Sequence, residues 1–169
     1  MMILDSLHKL YVHELKDLYS AENQALDALA KMERAASDKS LKSAFAEHRR
    51  ATEIHIKRLE TIFDSLQFEP GGHRCSAMDG IVKEAEELMK GEIHEHVLDA
   101  ALISSAQRME HYEIASYGTV RAFADKLGHR EAAELLQATL DEEGRTNREL
   151  TRLAEKSINF LATKVVVAP

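Results

Sequence analysis

Apolar side chains return every third or fourth position through most of this sequence, the spacing that lines one face of an α-helix. In the first stretch Leu4, Leu7, Tyr11, Leu15, Leu18, Ala25, Leu29 and Met32 share one stripe, which predicts a helix over about residues 3–36. Ser37, Asp38, Lys39 and Ser40 break the pattern and offer N-capping side chains. A tight turn there leads into a second helix over about 40–66, with Leu41, Ala44, Phe45, Leu59, Ile62 and Leu66 on its inner face. Residues 67–80, centred on Pro70-Gly71-Gly72, read as a connector, and 81–90 as a short, acidic, amphipathic helix. A third long helix is predicted from Glu92 or His94 to Leu127, ended by Gly128. A fourth covers about 129–158, with Ala133, Leu136, Leu140, Thr146, Leu150 and Leu153 inward. The fold class is all-α: a four-helix bundle of two helical hairpins over residues 1–162, with the short helix in a long crossover and 163–169 as a C-terminal tail.

The polar residues that interrupt these stripes carry the chemistry. Glu22 falls between Leu18 and Ala25, and His48, Thr52 and His55 occupy the middle of the second stripe. On the third helix Gln107 and Glu110 stand among Ala100, Ile103, Ile114, Tyr117 and Val120, with Glu113 on the flank one turn on. Glu142 and Glu143 straddle the fourth stripe, while Asp141 should point away. A carboxylate directed into a core needs a cation, a proton or several donors, because an unpaired buried charge is strongly destabilising. Two divalent cations would neutralise inward carboxylates that otherwise repel one another, and hard oxygens with one or two imidazoles suit iron or manganese better than copper. Carboxylates and imidazoles meeting at mid-bundle describe the di-metal carboxylate bundle. The competing reading is a polar layer whose members satisfy one another by hydrogen bonding.

A faint internal duplication runs through the same positions. Sliding the chain by 94 matches Leu41 with Leu135, Ala44 with Ala138, Thr52 with Thr146 and Leu59 with Leu153, and lays His48 on Glu142. Sliding it by 88 lays Glu22 on Glu110 and Leu26 on Ile114. Two hairpins related by a pseudo-twofold, each bearing polar groups at mid-length, fit this pattern.

Composition narrows the field. A formal net charge of −7 argues against a protein that tracks nucleic-acid phosphates. Cys75 is the sole cysteine, so there is no internal disulfide, and His73 with Cys75 lacks a second pair to complete a zinc site. No uninterrupted apolar run approaches the ~20 residues of a membrane span, and residues 1–10, with Asp5, His8 and Lys9 among the apolar ones, do not read as a signal-peptide h-region. A cytoplasmic protein is expected.

The motifs Tyr19-Ser20-Ala21-Glu22-Asn23-Gln24, His48 to His55 with Thr52, Cys75-Ser76-Ala77-Met78-Asp79-Gly80, Asp99-Ala100-Ala101-Leu102-Ile103, Glu110-His111-Tyr112-Glu113-Ile114-Ala115-Ser116-Tyr117-Gly118 and Thr139-Leu140-Asp141-Glu142-Glu143 together resemble the YciE/YciF bacterial stress-protein family, which is ferritin-like and rubrerythrin-related. The resemblance runs from about residue 7 to 154 and implies a ferritin-like bundle, a homodimer and a link to osmotic, desiccation or oxidative stress. It implies two iron ions, with manganese as the alternative, held by Glu22, Glu110 and Glu113 with His48 and Glu142, and with Glu143 and His55 as second choices. The implied chemistry is oxidation of Fe(II) by oxygen or peroxide; a non-enzymatic stress scaffold is the alternative, and a storage cage is disfavoured. Two departures stand out: Ala51 and Asn147 occupy positions where the family often has acids, and Glu-x-x-His is absent from the second and fourth helices. A ligand set poorer than that of a full di-iron oxidase is the expectation. Dimerisation is expected near the short helix or the Val165 to Val167 tail.

Overall fold

A computed structural model describes residues 4–165 and contains no strand among them. The long helices are α1 (Leu7–Ala35), α2 (Lys39–Leu66), α4 (Glu95–Leu127) and α5 (Arg130–Leu153); α3 (Ser76–Lys90) lies in the crossover. A π-helical turn (Ala154–Ile158) and the short α6 (Asn159–Ala162) close the chain. Helices α1 and α2 form one hairpin and α4 and α5 the other; α1 packs on α4, α2 on α5, and α3 against α1 and α4.

Local chemistry sets most boundaries. Ser6 accepts a hydrogen bond from the Lys9 amide and starts α1, later than the stripe suggests, so Leu4 and Leu7 are 42% and 38% exposed instead of buried. The predicted start at residue 3 lies outside the described residues. Asp38 caps α2 by accepting from the Ser40 and Leu41 amides. Gly128 ends α4 at φ 80, a left-handed conformation that a Cβ would strain. Helix α3 begins at Ser76 instead of residue 81, because the Cys75 sulfur accepts the Met78 amide and Met78 is buried beneath it. The fourth long helix leaves α geometry after Leu153 and continues as a π turn in which Ala154 and Ile158 are buried.

Strand-free bundles are oriented by their ends. At one end Asp99, in the second turn of α4, binds the turn between α1 and α2: it accepts from the Ser37 amide at 2.7 Å, the Ser37 hydroxyl at 2.6 Å and the Asp38 amide at 2.9 Å. At the other end His129, just before α5, stacks on Tyr11 of α1 with ring centroids 5.7 Å apart. Helix α4 therefore starts where α1 ends and runs parallel to α2, which is why the chain needs a crossover long enough to hold α3.

The core is in two parts. Ala25, Leu29, Met32, Leu41, Phe45, Met78, Leu102 and Met109 pack together near the α1–α2 turn. Tyr11, Leu15, Leu18, Leu59, Phe63, Tyr117, Val120 and Leu136 pack together near the α4–α5 turn. Between them lies a layer of buried polar side chains. Of the predicted tail, residues 163–165 follow α6, and Val166 and Val167, offered as part of a dimer contact, lie outside the described residues.

Asp99→Ala should lower stability by about 3 kcal/mol in urea titrations, since it strips a charged acceptor from two amides and a hydroxyl. Asp99→Asn, which keeps one acceptor oxygen, should recover part of the loss; equal stability of wild type and Asp99→Ala would mean that the clamp contributes nothing.

Candidate metal centre

The buried layer holds Glu22 on α1, His48 and His55 on α2, Glu110 and Glu113 on α4 and Glu143 on α5, none more than 3% exposed. The seven residues from His48 to His55 are two turns of helix, about 10 Å of rise, so the imidazoles project from one face at two levels. Glu110 and Glu113 are one turn apart on α4. Donor atoms of His48, Glu110, Glu113 and Glu143 all lie within 4.8 Å of one another, as do those of Glu22, His55 and Glu143. Glu143 belongs to both groups and stands between the imidazoles: Oε2 is 3.7 Å from His48 Nε2 and Oε1 is 2.9 Å from His55 Nδ1. Glu110 Oε1 is 3.1 Å from His48 Nδ1, and Glu22 Oε1 is 3.4 Å from His55 Nδ1.

Six of the seven sequence-predicted residues thus come together. On α5 the family resemblance points to Glu142 first and Glu143 second, whereas the structure buries Glu143 among the donors and leaves Glu142 outside both groups. Glu142 is at the rim, where Arg58 donates to both of its oxygens at 2.6 and 3.1 Å and its Oε2 lies 2.9 Å from His55 Nε2. It holds His55 by the outer nitrogen, leaving Nδ1 to face Glu22 and Glu143, as a carboxylate commonly orients a metal-binding imidazole. Glu113, placed on the flank of its stripe by the sequence, is fully buried, while Gln107, placed at the centre, turns to Asn147 and Thr151 at 3.2 and 2.8 Å. Asp141 points outward, as expected.

The donor set is also fuller than Ala51 suggests. Four carboxylates and two imidazoles are the complement of a bundle that takes a Glu from two helices and a Glu-x-x-His from each of the other two. Here both imidazoles come from α2 and two carboxylates from α4, a distribution that a search for Glu-x-x-His cannot find.

The polar atoms of these residues are largely unpartnered. Both carboxylate oxygens of Glu110, Glu113 and Glu143, Oε2 of Glu22, both nitrogens of His48 and Nδ1 of His55 are buried with no hydrogen bond among the described residues. The close imidazole–carboxylate approaches have the distance of a hydrogen bond without its alignment. A mutually satisfied polar layer would not leave so many atoms orphaned. Oxygen and nitrogen donors clustered in this way fit one or two divalent cations of the iron or manganese kind. The partner that Glu22 does have is Tyr117, whose hydroxyl donates to Oε1 at 2.5 Å.

Without a cation the layer must hold protons. Burial, followed by the charge of Glu143, raises the Glu110 carboxyl well above the usual carboxylate range. Burial and the charges of Glu22, Glu143 and Glu110 do the same to Glu113. Burial lowers His48 and favours its neutral, metal-binding form. Burial also opposes charge on His55, but the carboxylates of Glu143 and Glu22 outweigh it and raise the imidazole to about 10.

Beside the layer is a polar chain that joins His73 and Cys75 of the crossover to helices α1 and α4. Tyr112 donates to Asp17, Cys75 Sγ lies 3.1 Å from the Tyr112 hydroxyl, and His73 Nε2 lies 2.7 Å from Asp17. The cue was the position of Tyr112 inside the Glu-His-Tyr-Glu stretch, but its partners are far away in sequence.

These features define a ferritin-like bundle. It matches, with a TM-score of 0.62 and 20% identity over 98% of this chain and 40% of the other, a two-domain protein of Anabaena variabilis containing DJ-1/ThiJ/PfpI-like and ferritin-like domains, a likeness of fold alone. Residues 6–163 match the family described as domain of unknown function DUF892, and the chain belongs to that family. Protein YciF of Escherichia coli strain K12 is 42% identical over 159 residues, covering 94% of this chain and 96% of that protein. The crystal structure of the E. coli stress protein YciF matches with a TM-score of 0.89 over 92% of this chain and 99% of the other. The resemblance read from the motifs is thus a family relationship.

Because Glu113 is raised in the folded state, its neutral form stabilises the fold at pH below the unfolded value, and that contribution is lost as pH rises through the folded one. Glu113→Gln removes the loss. In metal-free buffer the variant should gain on wild type as pH rises, reaching an advantage of about 1 kcal/mol or more by neutral pH in urea titrations. A variant several kcal/mol less stable throughout would mean instead that structural hydrogen bonds hold the carboxylate.

Proposed function

We propose that this chain is a dinuclear metal-binding protein of the stress response that holds two iron ions and oxidises Fe(II) with oxygen or peroxide. The observation that carries the reading is the set of orphaned buried donor atoms on Glu22, His48, His55, Glu110, Glu113 and Glu143, grouped around two positions with Glu143 common to both. The stress role is carried over from the E. coli relative, which is described as a stress protein. A cytoplasmic homodimer is the setting this reading assumes; no helix among the described residues is long and apolar enough to cross a membrane.

The two positions differ. His48, Glu110, Glu113 and Glu143 offer three carboxylates and an imidazole, whereas Glu22, His55 and Glu143 offer two carboxylates and an imidazole, with Tyr117 already on Glu22. The first should fill first. Two Fe(II) ions, held by these residues, would supply the two electrons needed to reduce one peroxide with two protons to two waters. The protein's own part is to release protons from Glu110 and Glu113 on loading, to keep His55 oriented through Glu142 and Arg58, and to present the Tyr117 hydroxyl beside Glu22. The alternative, a scaffold acting through its surface, needs no cation at all.

Elemental analysis of protein purified without a metal-binding tag should find about two iron or manganese ions per chain, and Glu110→Ala should lose them together with Fe(II) oxidation while keeping its helical circular dichroism. Wild type that takes up no metal after anaerobic Fe(II) loading would leave the scaffold reading standing alone. Loading in weak buffer should also release protons, and affinity should fall as pH drops, since the cation displaces protons from carboxyls whose values are raised.

A further inference from the structure

A groove of about 690 Å³ runs along the outside of the bundle between α2 and α5 and reaches the π turn. Its lining includes His48 and Glu142, one a member of the buried layer and the other the holder of His55, with Ala51 and Thr146 on its two walls. Among the six buried layer residues His48 is the most exposed, at 3%, and the groove is where that exposure lies. Ala51 follows His48 by one turn on α2, and both line the groove, so the smallest side chain with a Cβ stands next to the layer residue that borders it.

From this geometry we infer that the α2–α5 groove is the passage by which a divalent cation reaches the centre, with Ala51 as its gatepost and His48 as the first ligand met. The inference rests on the dinuclear reading and adds a route to it. The lining suits a partly hydrated cation: hydroxyls of Ser40, Ser43 and Thr146 and the carboxylate of Glu47 can replace its waters step by step, while Glu142 stays engaged with Arg58 and His55. The charges do not make a funnel. Arg152 is paired with Glu149, Arg145 lies 3.8 Å from Glu142, and Lys156 adds a cation at the π-turn end, so the groove selects by width and oxygen ligands more than by field. The small residue at 51, read from sequence as a missing ligand, is on this view what keeps the passage clear. The four carboxylates of the layer are complete without an acid there.

The test is the rate of cobalt(II) uptake by metal-free full-length protein, followed by the visible absorption of the bound ion in a stopped-flow instrument. Ala51→Leu and Thr146→Leu narrow the groove from opposite walls without replacing any residue of the layer, and Ala51→Ser keeps it open. Uptake should slow about tenfold in both leucine variants, equivalent to a barrier higher by about 1.4 kcal/mol. Final stoichiometry should stay that of wild type, with Ala51→Ser loading at the wild-type rate. Leucine variants that load as fast as wild type would overturn the passage and leave the metal site untouched. Wild type that binds no cobalt(II) would overturn the dinuclear reading, and the passage with it. Should Ala51→Leu fail to fold, Thr146→Leu decides alone.

Discussion

Carboxyl groups of four glutamates, buried within a few ångströms of one another between two apolar half-cores, cannot all carry charge in a low-dielectric interior. Protons, imidazolium or cations must be present, and the arrangement of the bundle follows from supplying them. His55, favoured as imidazolium by its carboxylate neighbours, sits against Glu143 and Glu22, while burial favours the neutral forms of Glu110, Glu113 and His48. Glu142 remains at the surface end, charged and paired with Arg58, where it can hold His55 without adding to the buried charge.

The two hairpins contribute unequally. The α1–α2 hairpin supplies both imidazoles and one carboxylate, and the α4–α5 hairpin supplies three carboxylates. The correspondence suggested by the sequence does not carry through the donors: Glu22 and Glu110 correspond and are both buried, but the position matching His48 is Glu142, which lies at the rim. Neither hairpin alone has a balanced set, so the centre exists only once they are docked. The Asp99 clamp, joining the start of α4 to the α1–α2 turn, fixes the register of that docking.

Much of this was legible in the sequence because a charged residue in an apolar stripe is conspicuous. Glu22, His48, His55 and Glu110 interrupt stripes that are otherwise clean, and periodicity finds them. It fails where two acids are adjacent. Glu142 and Glu143 are about 100° apart on the helix, and what decides between them is Arg58, far away in sequence. It also misjudged Glu113, because the buried face of α4 is wide: Ser105, Ala106, Met109 and Glu113 are inside along with Ile103, Glu110 and Tyr117, since α4 packs on α1, α3 and α5 at once. The early start of α3 was hidden by an uncommon cap, a buried cysteine sulfur, and the π turn after Leu153 has no compositional signal.

The division of the core into two apolar halves has a consequence for how the chain comes apart. Tyr11, Leu59, Val120 and Leu136 hold one end and Leu29, Leu41, Met78 and Leu102 the other, each with its own contacts. Between them the polar layer provides little cohesion of its own when empty, so the amide protons of the two ends can exchange with solvent as two separate cooperative units. Two cations gripped by residues that together come from all four long helices would stitch those units into one, turning a molecule with two melting halves into a molecule with one.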